Sequence, residues 1–295
     1  MLNGSSGRSY HHLGFSDDRE FRLIGTDGGL LPKPVVTERI FLSPGERAEI
    51  VVDLRPDEQV LLRSYPADAA HRGRIDSRLA RRFGLKDTVD VLTLRTGRVL
   101  GTSAEVPARL AEIAPIAPAS SVPRRNFDLQ WHMINHERMA MSRIDFAVTE
   151  GTTEVWGVRN VDNWPHNFHV HDVQFQVLTI NDRTPPPELR GRKDTLYLAP
   201  GDRATIAMTF SGPSDPMHPY MFHCHLLGWA RTSGAERDGP ASTAGPAHER
   251  PPARWSGRPF GASTRRIVAS GRVQNLRVNG IGPRMRMSSR IGMRT

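Results

Sequence analysis

Along the first 227 positions, apolar residues recur in short runs that alternate with polar ones and are cut by Gly, Pro, Asn and Asp. That pattern predicts short strands joined by turns rather than helices. Phe21-Arg22-Leu23-Ile24 runs into Gly25-Thr26-Asp27-Gly28-Gly29, and Ile40-Phe41-Leu42 is separated from Ile50-Val51-Val52 by a Pro44-Gly45 turn. Such a turn is a local device, because proline presets one dihedral and glycine permits the next. Further runs lie at 127–131, 154–160, 195–198 and 204–210, the last two parted by Pro200-Gly201-Asp202. From His171 the chain alternates, with His171, Val173, Phe175 and Val177 on one face and Asp172, Gln174 and Gln176 on the other. This predicts one strand carrying a buried imidazole, which needs a ligand or a hydrogen-bond partner. Many short strands with these turns predict an all-β chain of Greek-key β-sandwiches, with helix only in short pieces.

Two stretches break the pattern. Residues 98–125 are rich in Ala, Pro and Ser without periodicity and read as a linker. From Gly228 onward there are thirteen arginines, no lysine and three acids, a local net of +10 that leaves the preceding 227 residues at −1. The overall charge of +9 therefore describes a basic tail on a neutral body. The tail composition cannot bury a core, so disorder is the expectation, and it lacks the aromatic interleaving or amphipathic period of a nucleic-acid or membrane ligand. No run is long enough to span a bilayer, and the first residues lack the apolar core of a signal peptide. As written, the chain reads as cytoplasmic.

Candidate chemistry centres on the single cysteine, in Met221-Phe222-His223-Cys224-His225-Leu226-Leu227. Neighbours in extended chain point to opposite faces, so Cys224 faces away from His223 and His225 and one strand can serve two metal sites. A thiolate with imidazoles suits copper, zinc or iron, and a blue copper centre takes two histidines and a cysteine in a trigonal plane with a weak axial methionine. Upstream, Trp164-Pro165-His166-Asn167-Phe168-His169-Val170-His171 sets three histidines at offsets 0, 3 and 5. His169 and His171 share a face, while His166 sits in the preceding turn. The pairs His11/His12 and His132/His136 read as structural or exposed: adjacent residues of a strand point apart, and the segment 132–136 reads as strand and turn.

HxxHxH followed by HCH resembles the copper-binding half of a multicopper oxidase, the family of laccases, bilirubin oxidases and cuprous oxidases. The stretches Leu2-Asn3-Gly4-Ser5, 25–29 and 42–53 resemble the middle cupredoxin domain of three-domain members, which carries no copper. The resemblance implies an incomplete copper-free cupredoxin-like domain over 1–105, a linker over 106–125, a copper-binding cupredoxin-like domain over 126–227 and the tail over 228–295. Carried over by position, Cys224 and His166 match ligands of the type 1 copper, His169 the type 2 copper, and His171, His223 and His225 the type 3 pair. The implied activity is oxidation of a small-molecule or metal-ion electron donor coupled to reduction of dioxygen to water, and family members are often periplasmic or secreted.

Two departures bear on that reading. The family's second type 1 histidine and axial methionine fall five and ten residues beyond the cysteine, where this chain has Trp229 and Gly234. No H-x-H precedes His169, so the paired histidines of a first domain are absent from this sequence. The expectation is a piece of such an oxidase that needs an N-terminal cupredoxin domain and is inactive alone. The alternative is a copper-binding or structural cupredoxin module without turnover.

Overall fold

The β-branched and aromatic runs of the first hundred residues become β1 (His11–Phe15), β2 (Phe21–Thr26), β3 (Gly29–Thr37), β4 (Ile40–Leu42), β5 (Glu49–Val51), β6 (Gln59–Tyr65) and β7 (Val89–Arg95) in the computed structural model. The structure describes residues 1–5, 10–66, 75, 77–82, 84–118, 122–140, 143–211, 219–226 and 264–270. These strands form two sheets, ordered β4-β1-β6-β7 and β3-β2-β5. Phe15, Phe21, Leu23, Leu31 and Leu62 fill the core between them. The Pro44-Gly45 turn is not a hairpin: β4 pairs with β1 and β5 with β2, so the turn carries the chain from one sheet to the other. Gly45 takes φ 87°, a left-handed conformation costly for any residue with a Cβ. The single α-helix among the described residues, α1 (Ser77–Arg82), is six residues long.

After the linker, β8 (Arg124–Gln130) leads through β9 (Met133–Ile134), β10 (Glu137–Arg138) and β11 (Phe146–Thr149) to β12 (Thr153–Asn160). Then come β13 (His166–Val170), β14 (Phe175–Ile180), β15 (Arg192–Lys193), β16 (Thr195–Leu198), β17 (Arg203–Thr209) and β18 (Tyr220–His223). Seven of these make a sheet ordered β10-β9-β8-β12-β17-β14-β15, and the facing sheet is ordered β11-β19-β18-β13-β16, where β19 is Thr264–Ser270. Side chains alternating inward from both sheets bring Phe127, Trp156, Phe168 and Phe222 into one aromatic core, with ring centroids 4.9–6.2 Å apart. Edge-to-face and tilted pairs of this kind add about 0.5–1.5 kcal/mol each beyond the area they bury. The fold is thus all-β, in two cupredoxin-like β-sandwiches. Of the basic tail the described residues include only β19, which pairs parallel to β18 and antiparallel to β11.

Three readings of the pattern change. The alternating run from His171 is not one strand: β13 ends at Val170, Asp172 turns the chain at φ 59°, and β14 begins at Phe175 in the other sheet. Val173, Phe175 and Val177 go into the core, whereas His171 stays with β13 at its end. His166 is not in a turn but is the first residue of β13, opposite Leu198. The stretch around the cysteine is strand only as far as His223.

The two sandwiches meet over polar turns as well as apolar side chains. Phe41 of β4 packs tilted against Tyr197 of β16 with centroids 4.6 Å apart, and Tyr10 meets the same ring edge-on. Gly28 N–H donates to the Arg192 carbonyl at 2.8 Å. A Cβ on Gly28 would stand 2.4 Å from Arg192 Cβ and 2.5 Å from that carbonyl oxygen, so only glycine permits the approach. Between them Lys193, almost wholly buried, places Nζ 2.8 Å from Asp27 and 3.1 Å from Glu46. The linker is pinned too: Gln176 takes the Ile116 N–H and donates to the Ala114 carbonyl, while Leu110 N–H bonds Pro32.

Candidate metal centre

Strands β13 and β18 lie side by side with His169 opposite His223 and Val170 opposite Phe222. The period of two then sorts the histidines. Phe168, Val170 and Phe222 point into the sandwich, and His166 and Cys224 continue that inner face at its end. Asn167, His169, His171, His223 and His225 point the other way, toward the first sandwich. The offset of three between His166 and His169 is what separates the two groups.

On the inner side, Cys224 Sγ lies 3.6 Å from His166 Nδ1. Metal–nitrogen and metal–sulfur bonds of about 2.0 and 2.3 Å put two ligands of one ion roughly this far apart, so the pair fits a shared ion. His166 Nε2 lies 3.0 Å from Asp162 Oδ2. The Asp162 carboxyl titrates low, because burial, which raises it, is outweighed by the hydrogen bonds from His166 and from the backbone N–H groups of Trp131 and Asn163. An ionised carboxylate only accepts, so Nε2 carries the proton and Nδ1 faces the sulfur. Burial pushes the His166 imidazolium down, but its bonds to Asp162 and Cys224 outweigh that and hold it up at about 9. A metal ion binding there takes the place of the Nδ1 proton.

On the outer side, the ligand atoms of His169, His171 and His223 all lie within 4.8 Å of one another. The His225 ring joins them, 4.5 Å from that of His223 and 4.8 Å from that of His169 between centroids. His171 and His223 meet Nε2 to Nε2 at 2.9 Å. Burial first, and then mutual repulsion among the rings, lowers His171 and takes His223 down to about 3 and His225 to about 4. These three rings are therefore neutral at neutral pH, with lone pairs available to a metal. His169 Nδ1 lies 2.9 Å from the Asp194 carbonyl, which can only accept; Nδ1 carries the proton and Nε2 is left bare. Imidazoles together with one thiolate form a donor set that fits copper.

All six sequence-assigned positions are thus gathered, in two groups. Trp229 and Gly234 lie outside the described residues. Of the rival histidines, His12 packs against Phe41, His136 is exposed, and none of His11, His12, His132 and His136 belongs to the clustered group. Sequence reading passed over Asn167 and Gly45. Asn167 is fully buried, donates to Ser43 Oγ at 3.1 Å and the Pro44 carbonyl at 2.7 Å, and accepts the His225 N–H at 2.7 Å. A Cβ on Gly45 would stand 2.8 Å from His225 Cδ2. Gly45→Ala is expected to displace the His225 ring and cost about 1–3 kcal/mol, the cost of a strained left-handed residue. Urea unfolding reads the stability loss and ring NMR reads the displacement; unchanged values in both would contradict the packing described.

The multicopper oxidase family model matches residues 113–235, which include both groups of histidines and the cysteine. Cell division protein FtsP of Photorhabdus laumondii is 31% identical over 234 residues, 77% of this chain and 47% of that protein. Multicopper oxidase mco of Staphylococcus haemolyticus is 30% identical over 233 residues, 77% of this chain and 44% of that one. The chain spans about half the length of the curated relatives it matches. Among solved structures, a laccase from Pediococcus acidilactici superposes with a TM-score of 0.64 at 24% identity, over 91% of this chain and 48% of that one. A laccase-like oxidase from Ochrobactrum sp. gives the same score at 25% identity, over 91% and 54%. With its cysteine–histidine strand set in that shared fold, the portion 113–235 matches the multicopper oxidase family.

Proposed function

We propose that the chain is the copper-holding portion of an oxidase that takes electrons from a reducing substrate and passes them to dioxygen, forming water. The observation that supports this best is the placement of Cys224 against His166 on one side of β18 and of His223 and His225 against His169 and His171 on the other. The segment His223-Cys224-His225 is then a covalent path between two metal positions. Bound copper supplies one-electron redox chemistry at both. Cys224 and His166 hold the electron-accepting type 1 position, and Asp162 fixes the His166 proton on Nε2. His169 holds the type 2 position, and His171, His223 and His225 hold their share of the type 3 pair. The donor is a small reducing molecule or a metal ion.

Alone, the chain supplies one of the two histidines of a type 2 position and three of the six of a type 3 pair, since no H-x-H precedes His169. Half a ligand set does not hold three coppers in the geometry that oxygen reduction needs, so another domain or polypeptide completes the centre. A second reading is a structural module without turnover, favoured by relatives named cell division protein FtsP. Copper loading of the purified chain, with metal analysis, optical spectra and an oxygen electrode, separates the readings. The expected result is bound copper, little blue colour, because neither Trp229 nor Gly234 can donate to copper, and no sustained oxygen uptake with a phenolic or cuprous donor. A folded chain that takes up no copper would favour the structural module. Rapid oxygen consumption would overturn the need for a completing domain.

A further inference from the structure

We propose that Arg47, in the copper-free sandwich, is a positioning residue for His169 in the other. The claim rests on the copper-holding reading above and adds a role for the first sandwich beyond spacing. Arg47 forks onto Asp194, with Nη1 to Oδ1 at 2.7 Å and Nη2 to Oδ2 at 2.6 Å. The same two nitrogens also donate to the carbonyls of Gly45 and Asp27, so the guanidinium is tied to its own sandwich at two further points. Asp194 in turn holds the histidine. Its carbonyl takes both His169 Nδ1–H at 2.9 Å and Val170 N–H at 3.1 Å, and its Oδ1 takes the Thr195 hydroxyl, which itself lies 2.9 Å from His169 Nδ1.

The geometry makes this a lever rather than a surface ion pair. Thr195 is the residue directly opposite His169 between β16 and β13. Asp27 secures the positions on either side of Asp194, through Lys193 Nζ at 2.8 Å and Thr195 N–H at 3.3 Å. The strip Lys193-Asp194-Thr195 is gripped by the first sandwich and fixes the ring orientation and tautomer that leave His169 Nε2 free for a metal. Groups that orient a ligating histidine in this way typically contribute 10–100-fold to metal affinity. A planar, bidentate guanidinium does what a lysine ammonium cannot.

The test compares Arg47→Ala, Arg47→Lys and the near-isosteric Asp194→Asn with the parent chain, using copper ions alone as the probe and near-ultraviolet circular dichroism as the check on folding. Copper affinity of the histidine group is expected to fall about 10–100-fold in Arg47→Ala, less in Arg47→Lys, and in the same direction in Asp194→Asn, with affinity at Cys224 unchanged. In the metal-free proteins, nitrogen NMR of the His169 ring is expected to show the Nδ1–H form in the parent and a mixture in Arg47→Ala. Folded Arg47→Ala and Asp194→Asn chains with parental affinity and parental ring signals would overturn the proposal. If the parent takes up no copper at its histidines, the functional reading fails, and the ring signals of the metal-free variants still decide the role of Arg47.

Discussion

Replacing Lys193 with methionine is expected to cost about 3–5 kcal/mol of stability, the penalty for stripping one partner from a buried ion pair. Lys193 is 2% exposed, and its Nζ stands between Asp27 and Glu46, two carboxylates brought to it by turns of the other sandwich. Burial alone would push the ammonium to lose its proton, yet the charges of Glu46 and Asp27 hold it up at about 12. Burial pushes the Glu46 carboxyl up, and the Lys193 charge offsets only part of that. Methionine keeps the stem and removes the charge, leaving two carboxyl groups facing one another in an apolar junction. Glu46 would still accept the Ser43 N–H, but Asp27 would lose its closest cation. Urea unfolding measures the loss, and adding Asp27→Asn with Glu46→Gln should restore part of it. A loss below about 1 kcal/mol, the range of an exposed pair, would mean that the junction is wet or that these turns do not hold the sandwiches together.

Cys224→Ser is expected to lower the Cu(I) affinity of the inner site by more than a hundredfold, beyond what outer groups contribute. The thiolate is the only soft anionic ligand in the chain, and soft ligands select Cu(I). Serine is a fair structural substitute, since the contacts of Sγ are the Asn167 N–H at 3.4 Å and His166 at 3.6 Å, both of which a hydroxyl can meet. The loss should therefore be chemical rather than a failure to fold. Copper at His169, His171 and His223 should persist, because those rings lie on the other face of β18. Competition titration with a chromophoric chelator reads the two populations apart. Unchanged Cu(I) binding would show that the cysteine is no ligand, and simultaneous loss of both populations would show that the faces are not independent.

Much of this arrangement is legible in the chain itself, through parity. His166 and His169 are an odd number of positions apart, His169 and His171 an even number, and Cys224 sits between two histidines. In any extended backbone those spacings send Cys224 away from its neighbours and separate His166 from the other two, and the structure does so. The strand runs were legible for the same reason, since β-branched and aromatic residues between Gly, Pro and Asp turns have few other ways to bury themselves. The run from His171 to Val177 misled because alternation continues across a turn as easily as along a strand. Asp172 in the left-handed region is what divides it, and aspartate in a polar position does not announce that conformation.

The sequence by itself therefore determined the kind of fold and the division of the cysteine and the clustered histidines between two faces, because these follow from side-chain chemistry and a period of two. Tertiary structure alone decided which outer groups hold those side chains. Arg47 meets Asp194 across 147 positions, Asn167 reaches Pro44, and Gly45 clears room for His225. No local pattern encodes such pairs: an arginine after a Pro-Gly turn reads as a solvated charge until a second sheet is packed against it. The physical reason is range. Backbone geometry acts between neighbours and can be read along the chain, whereas desolvation and hydrogen-bond partnership depend on what the fold brings alongside.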